Sequence, residues 1–253
     1  VRIPIYQVDA FSSRVFAGNP AAVCPLDEWL EDDVLQAIAA ENNLAETAFY
    51  VPEGGHYRLR WFTPKVEVDL CGHATLASAY VIGSPEVRFI TKSGELSVTR
   101  NGDLFTLDFP SRAPQPHPAN PGLIAALGGT PAELLAARDY LVVYGSEDEI
   151  RALKPDMAAL CGIDRFAVIV TAPGKNCDFV SRFFAPAKGV PEDPVTGSAH
   201  CTLTPYWAKR LGKSSLHAFQ VSERGGELWL ENKGGRVTIS GKGALYLEGA
   251  IHI

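Results

Sequence analysis

Apolar positions recur along this chain in short runs that alternate with polar residues or are rich in β-branched side chains. IPIYQVDAF at 3–11, TAFYV at 47–51, YRLRWF at 57–62, VRFIT at 87–91, LSVTR at 96–100 and LFTLDF at 104–109 each predict a strand. Asn101-Gly102 predicts a tight hairpin turn between the last two, since both positions tolerate positive φ. Further strands are predicted at YLVVY (140–144), FAVIV (166–170), DFVSRFF (178–184), FQVS (219–222), LWLE (228–231), RVTIS (236–240) and ALYLEG (244–249). Between the two groups lies SRAPQPHPANPG at 111–122, too rich in proline for either kind of element and the natural place for a domain boundary. The division expected is 1–115 and 116–253, with the final strand free to return to the first domain.

Helical periodicity is rarer. In WLEDDVLQAIAAENN (29–43), Leu30, Val34 and Ile38 share a face, and acidic residues in the first turn oppose the helix dipole. A weaker helical pair spans 147–160, interrupted by Pro155. Two more helices are predicted after Gly72 and Gly197, and the same prelude leads to each. RWFTP at 60–64 matches RFFAP at 182–186, followed by DLCGHATL in one half and EDPVTGSAHCTL in the other. From Pro64 to Gly72 is 8 positions and from Pro186 to Gly197 is 11, so the second connection is 3 residues longer. A strand, a proline-marked turn, a glycine and a helix thus occur twice, which predicts an internal duplication into two similar domains. The first N–H groups of a helix lack partners within it and carry partial positive charge. Two such starts facing across a cleft would hold a small carboxylate.

Composition narrows the function. Hydrophobic residues make up 46% and charged residues 21%, and 23 basic against 29 acidic residues give a net charge of -6. No basic run is long enough to follow a phosphate backbone, so nucleic acid is not an expected partner. No apolar stretch reaches the roughly 18 residues of a membrane span, and VRIPIYQVDAF reads as a strand rather than a signal peptide. The expectation is a soluble cytoplasmic protein without membrane association. The five cysteines form no C-x-x-C pair and the six histidines no H-x-x-x-H spacing, so neither a disulfide framework nor a bound metal is expected.

Candidate chemistry gathers at a few places. Glu46, in ENNLAETAF, stands where a helix gives way to an apolar strand, a setting for a general acid or base; Glu41, on the helix, is the exposed comparison. Asp193 and Ser198 flank the second helix start, where capping and cleft-facing roles are both open. His73 is a core histidine, a ligand or a proton carrier, and without a second ligand in view proton handling ranks above metal binding.

FAGNPAAV (16–23), ENNLAETAF (41–49), RWFTPKVEVDLCGHATLASAY (60–80), SRFFAP (181–186), EDPVTGSAH (192–200) and PYWAKRLGK (205–213) together resemble the phenazine-biosynthesis PhzF-like isomerase family. The resemblance implies an α+β fold of the diaminopimelate epimerase type: two similar domains, each a barrel-like, mostly antiparallel sheet around a central helix, with the site in the interdomain cleft. It also implies a homodimer that needs neither metal nor organic cofactor. Carried over by motif, the catalytic residues are Glu46, His73 and Asp193, and the substrate-binding ones are Asn19, Gly72, Gly197 and Ser198. The phenazine enzyme isomerises a cyclic dihydro-hydroxyanthranilate, so the implied activity is proton relocation on a small carboxylate. Related epimerases use two thiols, one from each helix start. Cys71 occupies the first such place, whereas Pro194 or Val195 is expected at the second. The thiol-based racemase or epimerase therefore stands as an alternative, as does a small-acid-binding protein without turnover.

Overall fold

The structure, a computed structural model describing residues Val1–Ile253, turns these runs into strands of a mixed α/β fold and divides the chain into two units. The first unit comprises Val1–Asp108 and Ser240–Ile253, the second Phe109–Ile239. The boundary expected after residue 115 thus falls before the proline-rich stretch.

In the first unit β1 (Arg2–Ala10), β2 (Asn19–Pro25), α1 (Asp32–Asn42), β3 (Glu46–Glu53), β4 (His56–Phe62), β5 (Glu67–Val68), α2 (Gly72–Ile82), β6 (Glu86–Thr91), β7 (Gly94–Asn101) and β8 (Leu104–Pro110) follow in order. β1 pairs antiparallel with β2, β2 parallel with β3, and β3 antiparallel with β4. β4 is antiparallel to β5 and parallel to β6, which begins a meander through β7 to β8. The last hairpin turns at Gly102-Asp103 rather than at Asn101-Gly102. Asn101 still pairs with Leu104, and only Gly102 takes positive φ, at 63°. α2 is buried from His73 to Ala79 and packs on β1, β2 and β3, as the small residues of HATLASA allow.

The second unit contains β9 (Gln115–Pro116), α3 (Pro121–Leu127), β10 (Glu133–Ala136), β11 (Tyr140–Val143), α4 (Glu147–Ala152), α5 (Met157–Leu160), β12 (Val168–Pro173), β13 (Phe179–Ala185), β14 (Val190–Asp193), α6 (Gly197–Leu211), β15 (Ser215–Gln220), β16 (Gly226–Asn232) and β17 (Arg236–Gly241). Its pairings repeat those of the first: β10 antiparallel to β11, β11 parallel to β12, β12 antiparallel to β13, β13 antiparallel to β14 and parallel to β15. Finally, β18 (Gly243–His252) returns to the first unit because it pairs antiparallel along the whole of β1, from Ala10 opposite Gly243 to Arg2 opposite His252.

Side chains repeat along with the topology. Arg60 on β4 grips Glu67 on β5 with two bonds of 2.8 and 3.0 Å, its guanidinium 5.1 Å from the Phe62 ring centre. Arg182 on β13 grips Glu192 on β14 at 2.7 and 2.9 Å and lies 4.9 Å from Phe184. Each glutamate precedes its glycine by five positions, so the three extra residues of the second copy lie earlier, in the 3₁₀ turn Pro186–Lys188. A proline inside α6 deprives the carbonyl four residues back of its donor. Here Pro205 leaves Cys201 O, and the backbone N–H of Arg112 fills the gap at 2.8 Å. Further along α6, Trp207 stacks on Phe179 and donates to Thr171 Oγ1 at 3.0 Å. No helix is long and apolar enough to cross a membrane.

Candidate active site

The first unit brings Asn19, Glu46, Cys71, Gly72 and His73 together. α1 ends at Asn43 in the left-handed conformation, φ 49°, and Asn42 Nδ2 donates to the buried Thr47 hydroxyl at 3.1 Å. That bond pins the helix end to the start of β3 and so fixes Glu46, whose side chain is 18% exposed; Glu41 is exposed. Parallel pairing of β2 with β3 sets Ala21 beside Glu46, which brings Asn19 to the same end of the strands. Asn19 is delivered by a loop under backbone strain, with Phe11 at φ 61°, Phe16 at 67° and Gly18 at 69°. A Cβ on Gly18 would stand 2.2 Å from Ala10 O, so glycine is required there.

Cys71 precedes α2 in extended conformation, and its thiol caps nothing. Instead Cys71 Sγ lies 3.5 Å and Asn19 Nδ2 3.4 Å from Nδ1 of His73, which is 6% exposed. On the other side of the ring, Nε2 is 3.2 Å from Glu46 Oε2, an ion-pair distance at an angle too oblique for a good hydrogen bond. Burial by itself would lower the His73 pKa, but Cys71 and Glu46 outweigh it and hold the imidazole well above its ordinary range. Burial, reinforced by the Glu46 charge, pushes the Cys71 thiol up despite the helix start and His73. The three groups thus form one cluster in which the imidazole holds its proton firmly and the thiol yields its own reluctantly. Each of Glu46, Cys71 and His73 offers a donor atom within 4.8 Å of the others, so the trio is also a set that a thiophilic cation could use.

The second unit builds its helix start from different groups. Thr196, immediately before Gly197, occupies the place that Cys71 holds before Gly72, which corrects the expectation of Pro194 or Val195 there. Its hydroxyl donates to Asp193 Oδ2 at 2.5 Å, and Gln220 on β15 accepts the Thr196 N–H at 2.9 Å and donates to Asp193 O at 2.7 Å. Ser198 Oγ accepts a bond of 3.1 Å from Arg138 Nη2. Asp193, Gly197 and Ser198 are therefore gathered at one end of α6. Thr196, Gln220 and Arg138 were missed by sequence reasoning. Counting back from the paired glycines would have found Thr196, and a polar residue between Phe219 and Val221 was the signal for Gln220; Arg138 had none.

Register extends the comparison between copies. With RWF laid on RFF, Phe62 faces Thr47 and Phe184 faces Val168, so Glu46 corresponds to Ala167. From the glycines, His73 corresponds to Ser198 and Cys71 to Thr196. The Glu46–Cys71–His73 trio thus belongs to one copy, while Asp193 belongs to the other, where the first copy has Val68.

Residues 8–249 match the family model for phenazine biosynthesis-like proteins. An uncharacterized isomerase of Pseudomonas aeruginosa is 57% identical over 259 residues, with both chains covered in full. The chain belongs to the PhzF family. A solved PhzF-family structure from Enterococcus faecalis is 47% identical to this PhzF-family chain, with a TM-score of 0.99 over all of both chains. A hydroxyproline epimerase from Agrobacterium vitis, solved with bound trans-4-hydroxy-L-proline, matches at a TM-score of 0.59 over 99% of this chain and 91% of that one. At 12% identity that likeness concerns the fold alone.

Proposed function

We propose that this PhzF-family protein is an isomerase that relocates a proton on a small carboxylate substrate by general acid–base catalysis, using its own side chains alone. The observation that carries the reading is the Glu46–His73 pair, a mostly buried carboxylate 3.2 Å from a buried imidazole whose proton is firmly held. Glu46 takes a proton from an activated C–H, leaving negative charge delocalised over the substrate. His73, with the N–H groups at the start of α2, stabilises that charge without reorganising water. Glu46 then returns the proton to a different carbon, so atoms and charge balance over the cycle. Asp193 relays or stabilises charge, Ser198 and the N–H groups at Gly197 hold the carboxylate, and Asn19 orients His73. The reading needs one substrate to be served from both units. It also agrees with the naming of close relatives as isomerases.

A thiol mechanism has one observation in its favour, the 3.5 Å approach of Cys71 Sγ to His73. Against it stand the raised thiol pKa and the threonine at the matching place. The test is Glu46→Gln, assayed on carboxylated cyclic dienes and amino acids by absorbance and by proton NMR in D₂O. Turnover should fall by roughly 10²- to 10⁴-fold with binding retained. Near-normal turnover would remove Glu46 from the mechanism.

A further inference from the structure

Residues two apart within a helix do not face each other, so Cys71 and His73 would not meet if both belonged to α2. Cys71 lies just outside it in extended backbone, φ -144° and ψ 106°, and its sulfur comes within 3.5 Å of His73 Nδ1. A tetrahedral zinc ion, with Zn–S about 2.3 Å and Zn–N about 2.0 Å, holds its sulfur and nitrogen about 3.5 Å apart. The pair already stands at the separation that a shared cation imposes.

Glu46 completes a three-donor set, in which sulfur, ring nitrogen and carboxylate oxygen lie within 4.8 Å of one another. Its Oε2 is 3.2 Å from Nε2, whereas the sulfur approaches Nδ1, so the part-exposed glutamate is the ligand that swings toward the cation. Cys71 and His73 are buried and keep their places, and Asn19 Nδ2 gives up its 3.4 Å contact with Nδ1. A thiol, an imidazole and a carboxylate suit Zn²⁺, whereas Mg²⁺ and Ca²⁺ take oxygen ligands. Three protein ligands leave the fourth position to water. The duplicated fold contains its own control: the second unit has Ala167, Thr196 and Ser198 in place of Glu46, Cys71 and His73, and so offers no matching set.

We propose that Glu46, Cys71 and His73 form a site for one Zn²⁺, or a cation of similar softness, per chain, and that its occupation switches the protein off. On binding, the Cys71 thiol gives its proton to solvent and the sulfur bonds the metal as thiolate; no electron is transferred. Glu46 and His73, engaged by the cation, can then neither take a substrate proton nor stabilise the charge it leaves. That inhibitory consequence rests on the roles proposed above for Glu46 and His73, whereas the coordination does not.

Cobalt(II) reports such a site without a substrate, because a thiolate ligand gives a sulfur-to-metal charge-transfer band in the near ultraviolet. Titrated without oxygen into the full chain, Co²⁺ should raise that band to an end point of one equivalent. Zn²⁺ should abolish it, and excess Mg²⁺ should leave it unchanged. Cys71→Ser should remove the band. Glu46→Gln should keep it but weaken cobalt binding by at least about tenfold, the least that even an outer partner of a metal site is worth. Cys161→Ser, at the exposed cysteine, should change nothing. X-ray absorption at the zinc edge, on wild type loaded with one equivalent, should show one sulfur at about 2.3 Å with nitrogen and oxygen at about 2.0–2.2 Å, and requires no variant to fold. Absence of the charge-transfer band, its survival in Cys71→Ser, its loss in Cys161→Ser, unweakened binding by Glu46→Gln, or a zinc shell without sulfur would each overturn the site. Turnover that persists with zinc bound there would overturn the inhibition. The isomerase reading fails separately, on metal-free turnover by Glu46→Gln.

Discussion

His200 makes a sharp prediction about acid. It sits one turn into α6 with no exposed surface, its Nδ1 donating to Thr196 O at 2.8 Å and its Nε2 buried without a partner. A second ring proton would therefore have nowhere to go. Burial, only partly offset by the Thr196 carbonyl, lowers the pKa from its ordinary 6.5 to about 4. Because the folded value lies below the unfolded one, the stabilisation is whole above pH 6.5 and is lost as pH falls toward 4. At about 1.4 kcal/mol per pH unit, that interval is worth about 3 kcal/mol. Two-bond ¹H–¹⁵N NMR distinguishes histidine tautomers and follows each ring through pH. His200 should stay neutral, with its proton on Nδ1, until the protein begins to lose structure near pH 4 to 5, and His200→Gln should flatten the acid limb of a urea-unfolding series by about 3 kcal/mol. His73 is the internal contrast: its raised value makes its contribution whole below 6.5 and lost as pH climbs through its own titration. A His200 midpoint near 6.5 in the folded protein, or an acid limb unchanged in His200→Gln, would refute the reasoning.

Three further outcomes are expected. Cys71→Ser should fold and keep activity within about tenfold, since the thiol is held protonated and the second helix start has threonine; a loss on the order of a thousandfold would return the thiol to the mechanism. Gly18→Ala should cost at least about 2 kcal/mol in chemical unfolding, because left-handed backbone is unfavourable for alanine and the added Cβ meets the Ala10 carbonyl, which cannot step aside; an unchanged stability would mean the loop relaxes freely. Exhaustive chelation should leave turnover unchanged and added Zn²⁺ should inhibit by occupying Glu46, Cys71 and His73; activity lost to chelator and regained with Zn²⁺ would make that trio a working metal site.

Much of this architecture was legible in the order of residues because its signals are local. Strand alternation, the glycines that open α2 and α6, and the RWF and RFF triplets can each be read within a short stretch of chain, and the motifs around them led to Glu46, His73, Asp193 and Ser198. What escaped notice depends on pairing across distance. The turn moved to Gly102-Asp103 because register with Leu104, not the Asn-Gly dipeptide, decides which residues are central. Pro205 reads as a helix breaker until the Arg112 N–H, 93 positions away, satisfies Cys201 O. Arg138 reaches Ser198 over 60 positions, and nothing in AARDY announces it.

The return of β18 to β1 also sets an order of events during synthesis. Residues 109–239 form a continuous unit whose pairings can close as soon as they leave the ribosome, whereas β1, made before them, has β2 on one side and must wait for residues 243–252 to cover the other. Such long-range closure is slow, and an uncovered strand edge invites pairing with other chains. A strand made early is thus completed late, and a nascent chain stalled before residue 243 carries an open edge beside the strand that delivers Asn19.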